Sequence, residues 1–68
     1  MQVILNGEQR SLDEGATVAD MLRGLGIESG RVAVEINENI VPRKDYADAV
    51  VRDGDRIEVV TFVGGGAC

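Results

Sequence analysis

DGDRIEVVTFVGGG, residues 53–66, is the stretch that decides the fold. Its first three residues are typical of a turn, because glycine adopts a positive φ easily and aspartate side chains hydrogen-bond to nearby backbone groups. Residues 56–63 are rich in β-branched and apolar side chains and predict the longest strand of the chain. Three glycines follow that strand directly. The stretch therefore predicts a long β-strand followed by three residues that have no side chains.

Alternation along this strand divides its side chains between two faces. One face carries Ile57, Val59, Thr61 and Val63, and the other carries Val60 and Phe62. Apolar side chains on both faces near the end of a strand are either core on a twisted sheet or an exposed contact patch. In the second alternative, Val60, Phe62 and Val63 are candidate contacts with a partner, because a protein that holds the glycines must also hold the end of the strand before them.

Two shorter strands are predicted at the start of the chain. Residues 1–5 alternate between two faces, and residues 8–12 form a more polar return strand that is typical of a sheet edge. Between them, Asn6-Gly7 is a strong signal for a two-residue hairpin turn, because both residues tolerate a positive φ. The chain therefore begins with a β-hairpin.

A short amphipathic helix is predicted next. Thr17 is the candidate N-cap, and Asp20, three residues later, comes close to a capping box. The apolar positions follow the i, i+3, i+4, i+7 spacing of one helical face and are Val18, Met21, Leu22 and Leu25. Gly26 is the predicted terminator. A helix this short depends on packing against a sheet more than on propensity.

The second half predicts further strands around an irregular crossing. Residues 32–36 alternate, and their inward side chains are Val32, Val34 and Ile36. Residues 37–39 turn the chain into the short apolar pair 40–41, and residues 43–49 cross the surface with Tyr46 against the core. The whole pattern predicts an α+β fold in which one main helix packs on one face of a sheet of four to five strands. It does not give the strand order.

Length and composition limit the classes of function. Sixty-eight residues, 44% of them hydrophobic, make one small domain, which we place at residues 1–63, with a flexible glycine-rich tail at residues 64–68. A formal net charge of −5 argues against nucleic acid as a partner. No apolar run is long enough to span a membrane. The lone cysteine and the lack of a leader segment predict a cytoplasmic protein.

Catalytic and metal-binding arrangements are missing from the sequence. Histidine is absent, and the lone Cys68 cannot supply a zinc or iron–sulfur ligand set. Asp53 and Asp55 flank a turn glycine, where local hydrogen bonding is their ordinary role. The sequence therefore predicts no metal site, no bound cofactor and no catalysis by this chain alone.

Four features together resemble the ThiS-type sulfur carriers of thiamin biosynthesis: INENIVPR (36–43), DGDRIEVVTFVGGG (53–66), the Asn6-Gly7 hairpin and the predicted helix that follows it. The resemblance covers residues 1–66 and implies the β-grasp, ubiquitin-like fold with a mixed sheet. MoaD-type carriers of molybdopterin synthesis share the fold and the terminal diglycine, but the IVPR segment favours ThiS. A ubiquitin-like interaction module with an incidental glycine tail is the alternative from another class.

The resemblance implies a mechanism at the glycines. A ThiF-type adenylating enzyme uses ATP to convert the carboxylate of Gly66 into an acyl-adenylate, and sulfur derived from cysteine then displaces AMP to leave a thiocarboxylate. A thiazole synthase of the ThiG type receives that sulfur. Gly65 is the diglycine partner of Gly66, and Gly64 adds a further flexible residue to the tail. The protein is then a cosubstrate, and the only AMP or sulfur that it carries is bound covalently at Gly66.

Ala67 and Cys68 depart from the family pattern, because they hold the carboxyl group of Gly66 in an amide bond. Some carriers that this chain resembles have a short extension that a protease removes, so we expect cleavage after Gly66. Two alternatives stay open. Cys68 carries sulfur itself as a persulfide, since an exposed thiol is accessible, or Cys68 is an inert end.

Overall fold

The computed structural model describes residues 1–62, and residues 63–68 lie outside the described part. The strands are β1 (Gln2–Leu5), β2 (Glu8–Ser11), β3 (Val32–Ile36), β4 (Asn39–Val41) and β5 (Arg56–Thr61). The helix α1 (Val18–Leu25) lies between β2 and β3, and short 3₁₀ turns occupy Ser29–Arg31 and Arg43–Asp45. Each predicted strand and the predicted helix is present, so the element order deduced from the sequence pattern is confirmed.

β5 lies at the centre of the sheet, whose strand order is β2-β1-β5-β3-β4. It runs parallel to β1, through the pairs Ile4–Arg56 and Leu5–Ile57, and antiparallel to β3. The pairs β1–β2 and β3–β4 are antiparallel hairpins on its two sides. The last strand is therefore inserted between the two hairpins, and the predicted α+β fold with a mixed sheet and one main helix is confirmed.

Local hydrogen bonds set both ends of α1. The hydroxyl of Thr17 accepts from the Asp20 N–H (3.1 Å), and the carboxylate of Asp20 accepts from the Thr17 N–H (3.0 Å). This capping box confirms the predicted N-cap. At the other end Gly26 adopts a φ of +74°, a left-handed conformation that glycine takes at little cost and that ends the helix.

The core lies between α1 and one face of the sheet. Its buried residues are Val3, Leu5, Val18, Met21, Leu22, Val32, Val34, Tyr46, Val51, Ile57 and Val59. Tyr46 reaches this core from the crossing between β4 and β5, as the sequence predicts. Leu25 and Ile36, also expected to face inward, are only partly buried because they pack against the margin of the core.

Some boundaries differ from the prediction. β2 ends at Ser11 instead of Leu12, and the crossing at residues 43–49 contains a 3₁₀ turn where irregular structure was expected. The strand predicted for residues 56–63 is observed as β5, which ends at Thr61. Val63 and the predicted tail at 64–68 lie outside the described residues.

Candidate functional site

The predicted site is the C-terminal tail, and the structure describes the strand from which the tail departs. The sequence-predicted residues Val63, Gly64, Gly65, Gly66, Ala67 and Cys68 lie outside the described part. The last described residue, Phe62, is held by its backbone, because its N–H donates to the Arg31 carbonyl at 2.8 Å. The chain is therefore hydrogen-bonded, first to β3 and then to Arg31 just before β3, up to the last described residue.

The opposite end of β5 is fixed where two of the quoted sequence segments meet. The Asn37 N–H donates to the Arg56 carbonyl (2.7 Å), and the Arg56 N–H donates to the Asn37 side-chain oxygen (3.0 Å). The Asn37 amide also donates to the Asp55 carboxylate (3.0 Å). Asn37 thus fixes the start of β5 although it lies far from it in the sequence. These hydrogen bonds help to set the direction in which β5 runs toward the tail.

The two turn aspartates have different partners. Asp55 accepts from the Arg52 N–H at 2.9 Å, which is the local hydrogen bond that the sequence predicts. Asp53 instead accepts from the Gln2 N–H at 2.8 Å, at the start of β1. Asp53 therefore ties the turn before β5 to the neighbouring parallel strand, a long-range role that the turn pattern did not predict.

Arg43, the last residue of the INENIVPR segment, contacts the loop that holds the tail base, by which we mean residues 60–62 at the end of β5. Its guanidinium donates to the Gly30 carbonyl at 3.2 Å, in the 3₁₀ turn whose Arg31 carbonyl accepts from Phe62. The adjacent Lys44 pairs with Asp45 at 3.3 Å. Arg43 and Lys44 lie in an exposed surface crossing, as the sequence predicts. The hydrogen bond from Arg43 to the loop before β3 is visible only in the structure.

Val60 and Phe62 lie on the sheet face that α1 does not cover. They are 55% and 57% exposed, whereas Ile57 and Val59 on the other face of β5 are buried. The register places Val60 opposite Ala33 of β3, so the open face is apolar next to the tail. Of the two alternatives for these residues, the structure favours an exposed patch over core. Their contact with a partner stays a prediction.

Asn6 has a role beyond the hairpin turn that the sequence indicated. Its side-chain oxygen accepts from the Val59 N–H (2.8 Å), and its side-chain amide donates to the Val59 carbonyl (3.2 Å). The amide therefore continues the β1–β5 ladder for one step after β1 has ended. No local sequence signal distinguishes this asparagine from one that serves only the turn.

No Asp, Glu, Lys or Arg side chain within residues 1–62 is buried. The pKa of Asp20 is held below its usual value by hydrogen bonds from the Thr17 backbone and side chain, with Arg23 adding to the effect. Within the same residues, no group of three or more His, Cys, Asp or Glu could hold a metal ion. The helices of this part are too short to cross a bilayer.

Comparison with known proteins identifies relatives over almost the whole chain. The family model described as "ThiS family" matches residues 3–66, which include the three glycines. A sulfur carrier protein ThiS from Thermus thermophilus is 44% identical over 64 residues, which are 94% of this chain and 98% of that protein. A crystal structure of a ThiS thiamine biosynthesis protein from Geobacter metallireducens superposes with a TM-score of 0.82, at 32% identity, and covers 97% of this chain and 100% of that one.

A larger protein also matches. A thiazole synthase from Paramagnetospirillum magneticum is 46% identical over 67 residues, which are 98% of this chain but only 21% of that protein. The chain thus spans about a fifth of the length of this relative. The family model and the full-length carriers agree with the described fold and with the segments that carry the resemblance, and the chain belongs to the ThiS family.

Proposed function

We propose that this protein is a sulfur carrier of thiamin biosynthesis and delivers sulfur for the thiazole ring as a thiocarboxylate on Gly66. The observation that carries the proposal is the match of residues 3–66 to the ThiS family, which extends through the diglycine. The structure supports it, because β5 is fixed at both ends and only Phe62 and Val63 separate it from the glycines in the sequence. A central strand followed so closely by residues without side chains is suited to present a carboxyl group to another protein's active site.

The proposed chemistry proceeds in two displacements. A carboxylate oxygen of Gly66 attacks the α-phosphorus of ATP on a ThiF-type enzyme, pyrophosphate leaves, and an acyl-adenylate forms. A hydrosulfide equivalent then attacks the acyl carbon, AMP leaves, and the thiocarboxylate remains on Gly66. A free carboxylate is a poor electrophile, so adenylation supplies the leaving group. The protein acts as a cosubstrate in the cytoplasm, and the enzyme supplies all catalytic groups.

Cleavage after Gly66 must come first. Ala67 and Cys68 hold the carboxyl group of Gly66 in an amide bond, so we propose that a protease removes them. The alternative in which Cys68 bears a persulfide has a distinct mass signature, because the uncut chain then gains one sulfur atom.

A thiazole synthase of the ThiG type is the proposed acceptor of the sulfur. The match with about a fifth of a thiazole synthase supports this pairing, because in that bacterium a carrier-like segment and the synthase belong to the same protein. A molybdopterin carrier of the MoaD type would share the adenylation chemistry, so transfer of sulfur to a thiazole synthase is the step that separates the two pathways.

The test compares three lengths of the chain with a ThiF-type enzyme and ATP. Residues 1–66 should release pyrophosphate, and with a sulfur donor should gain the mass difference between sulfur and oxygen. Residues 1–68 should be inactive until Ala67 and Cys68 are removed. Residues 1–64 should fold equally well and remain inactive, because the carboxyl group no longer reaches the nucleotide.

Two outcomes would reject the proposal. Equal thiazole formation with residues 1–64 would show that the diglycine is dispensable. Binding of residues 1–66 to the enzyme without pyrophosphate release would favour the interaction-module alternative, in which the exposed Val60 and Phe62 mediate contact and the tail has no chemical role.

A further inference from the structure

The two edges of β5 are covered to different extents. On the β3 side, pairing continues from Ile36–Ile57 through Val32–Thr61, and the Phe62 N–H donates to Arg31 beyond it. On the β1 side, the strand pairing ends at Leu5–Ile57. Asn6 adds its backbone bond to Ile57 (2.8 Å) and its side-chain bonds to Val59. β5 therefore extends past the last group that covers its β1 edge.

Thr61 is the residue left at that edge. Backbone groups of successive strand residues point alternately to the two neighbouring strands. Those of Ile57 and Val59 point toward β1, as the bonds to Asn6 show, while Phe62 points toward β3. The N–H and the carbonyl of Thr61 therefore face the β1 side, where no group within residues 1–62 pairs with them.

A groove of about 350 Å³ lies beside this edge. Its lining comes from the end of β1 and the hairpin, the end of α1, and β5, and includes Asn6, Glu8, Leu25, Ile27, Val59 and Thr61. Leu25 and Ile27 are partly buried apolar side chains. Leu25 and Ile27 thus form an apolar part of a groove that the charged Glu8 and Arg10 also line, beside the backbone groups of Thr61 that have no partner within residues 1–62.

We propose that an extended segment of the adenylating enzyme adds to β5 on its β1 edge and bonds to the backbone of Thr61. This inference rests on the proposed function. Glycine presents only main-chain groups, so an enzyme that positions Gly64 to Gly66 must hold them largely through backbone hydrogen bonds. Strand addition provides such bonds in register, and Thr61 is where the free edge begins.

Amide hydrogen exchange tests the proposal directly. In residues 1–66 alone, the Thr61 amide should exchange quickly and the Phe62 amide slowly, because only Phe62 donates within the domain. A saturating ThiF-type enzyme, without ATP, should slow exchange at Thr61 by about tenfold or more, as expected for an amide that gains a stable hydrogen bond. If the complex forms and the exchange rate of the Thr61 amide is unchanged, the proposal is overturned. It is also overturned if the Thr61 amide becomes protected without the enzyme as the protein concentration rises, because the edge would then pair with a second copy of this chain.

A substitution pair gives a second readout. Thr61→Pro removes the N–H that faces the open edge and leaves the Phe62–Arg31 bond in place, whereas Ile40→Ala, at an exposed position of the edge strand β4, changes neither. Thr61→Pro should weaken binding to the enzyme about tenfold, the size of one lost hydrogen bond, and Ile40→Ala should bind like the unchanged chain. Equal binding by all three folded proteins would contradict strand addition.

These results can be separated from failure of the proposed function. Pyrophosphate release by the unchanged residues 1–66 establishes the carrier role independently of how the tail is held. Normal release without protection of Thr61 would reject only the strand addition. Absence of any complex or release would reject both.

Discussion

The two faces of β5 have similar side chains and different surroundings. Ile57 and Val59 point toward α1 and are 0% and 8% exposed, whereas Val60 and Phe62 point away from it and are more than half exposed. Hydrophobicity alone does not distinguish the two sets. A small domain with one helix covers one face of its sheet, so apolar residues on the other face are available for contact with another protein.

The largest expected effect is on the covered face. Ile57→Ala should lower the free energy of unfolding by about 2–5 kcal/mol, because it removes buried methyl groups and leaves a cavity between α1 and the sheet. Val60→Ala should change it by no more than about 0.5 kcal/mol, as is usual for an exposed position. Urea unfolding followed by circular dichroism measures both. Similar losses for the two variants would mean that the open face is part of the core.

The next effect concerns binding on the open face. Phe62→Ala should leave the unfolding free energy nearly unchanged and weaken binding to a ThiF-type enzyme by about tenfold or more, because an aromatic anchor beside the tail would be lost. Ile40→Ala is the control, since Ile40 is 74% exposed and lies on the edge strand β4. Calorimetric titration with residues 1–66 measures both. Equal weakening by the two variants would show that the contact is not centred on the tail base.

Local patterns predicted much of this fold. The faces of the strands follow from period two, and the ends of α1 follow from Thr17, Asp20 and Gly26, because the interactions involved span a few residues. The central position of β5 was not predictable in this way, since its pairing with β1 joins residues about fifty positions apart. Only the family resemblance implied a mixed sheet.

The candidate site was predicted unevenly for the same reason. The glycines are visible in the sequence, and the resemblance assigns their chemistry, but they lie outside the described residues. Val60 and Phe62 were either core or surface until the position of α1 was known. Asn6 and Arg43 support the tail base through contacts with Val59 and Gly30 that no local motif encodes.

A smaller effect is expected from charge on the open face. Glu35 and Glu58 are direct partners across β3 and β5, and neither forms an ion pair within residues 1–62. Like charges directly opposite each other destabilise a sheet. Glu58→Lys should raise the free energy of unfolding by about 0.5–1 kcal/mol at low salt, as repulsion is replaced by attraction.

A double-mutant cycle isolates this pair. In a Glu35→Gln background the gain from Glu58→Lys should largely disappear, and added salt should reduce it in the original background. An unchanged gain in both backgrounds would assign the effect to the net charge of the chain instead of to the Glu35–Glu58 contact.

The smallest expected effect concerns the helix that covers the core face. Asp20 accepts hydrogen bonds from Thr17 in the folded protein, which lowers its pKa from the reference value of 3.8. A carboxyl group whose pKa is lower when folded adds stability above its unfolded pKa, and that contribution is lost as the pH falls through the folded pKa. The stability difference between the unchanged chain and Asp20→Asn should therefore shrink between about pH 6 and about pH 3.

Unfolding by urea at each pH measures this difference, and Glu28→Gln, at an exposed position just beyond α1, is the matched control for removing one carboxylate. A difference that grows on acidification would have the wrong sign for the carboxylate of a capping box, and would show that the charge of Asp20 does not stabilise α1.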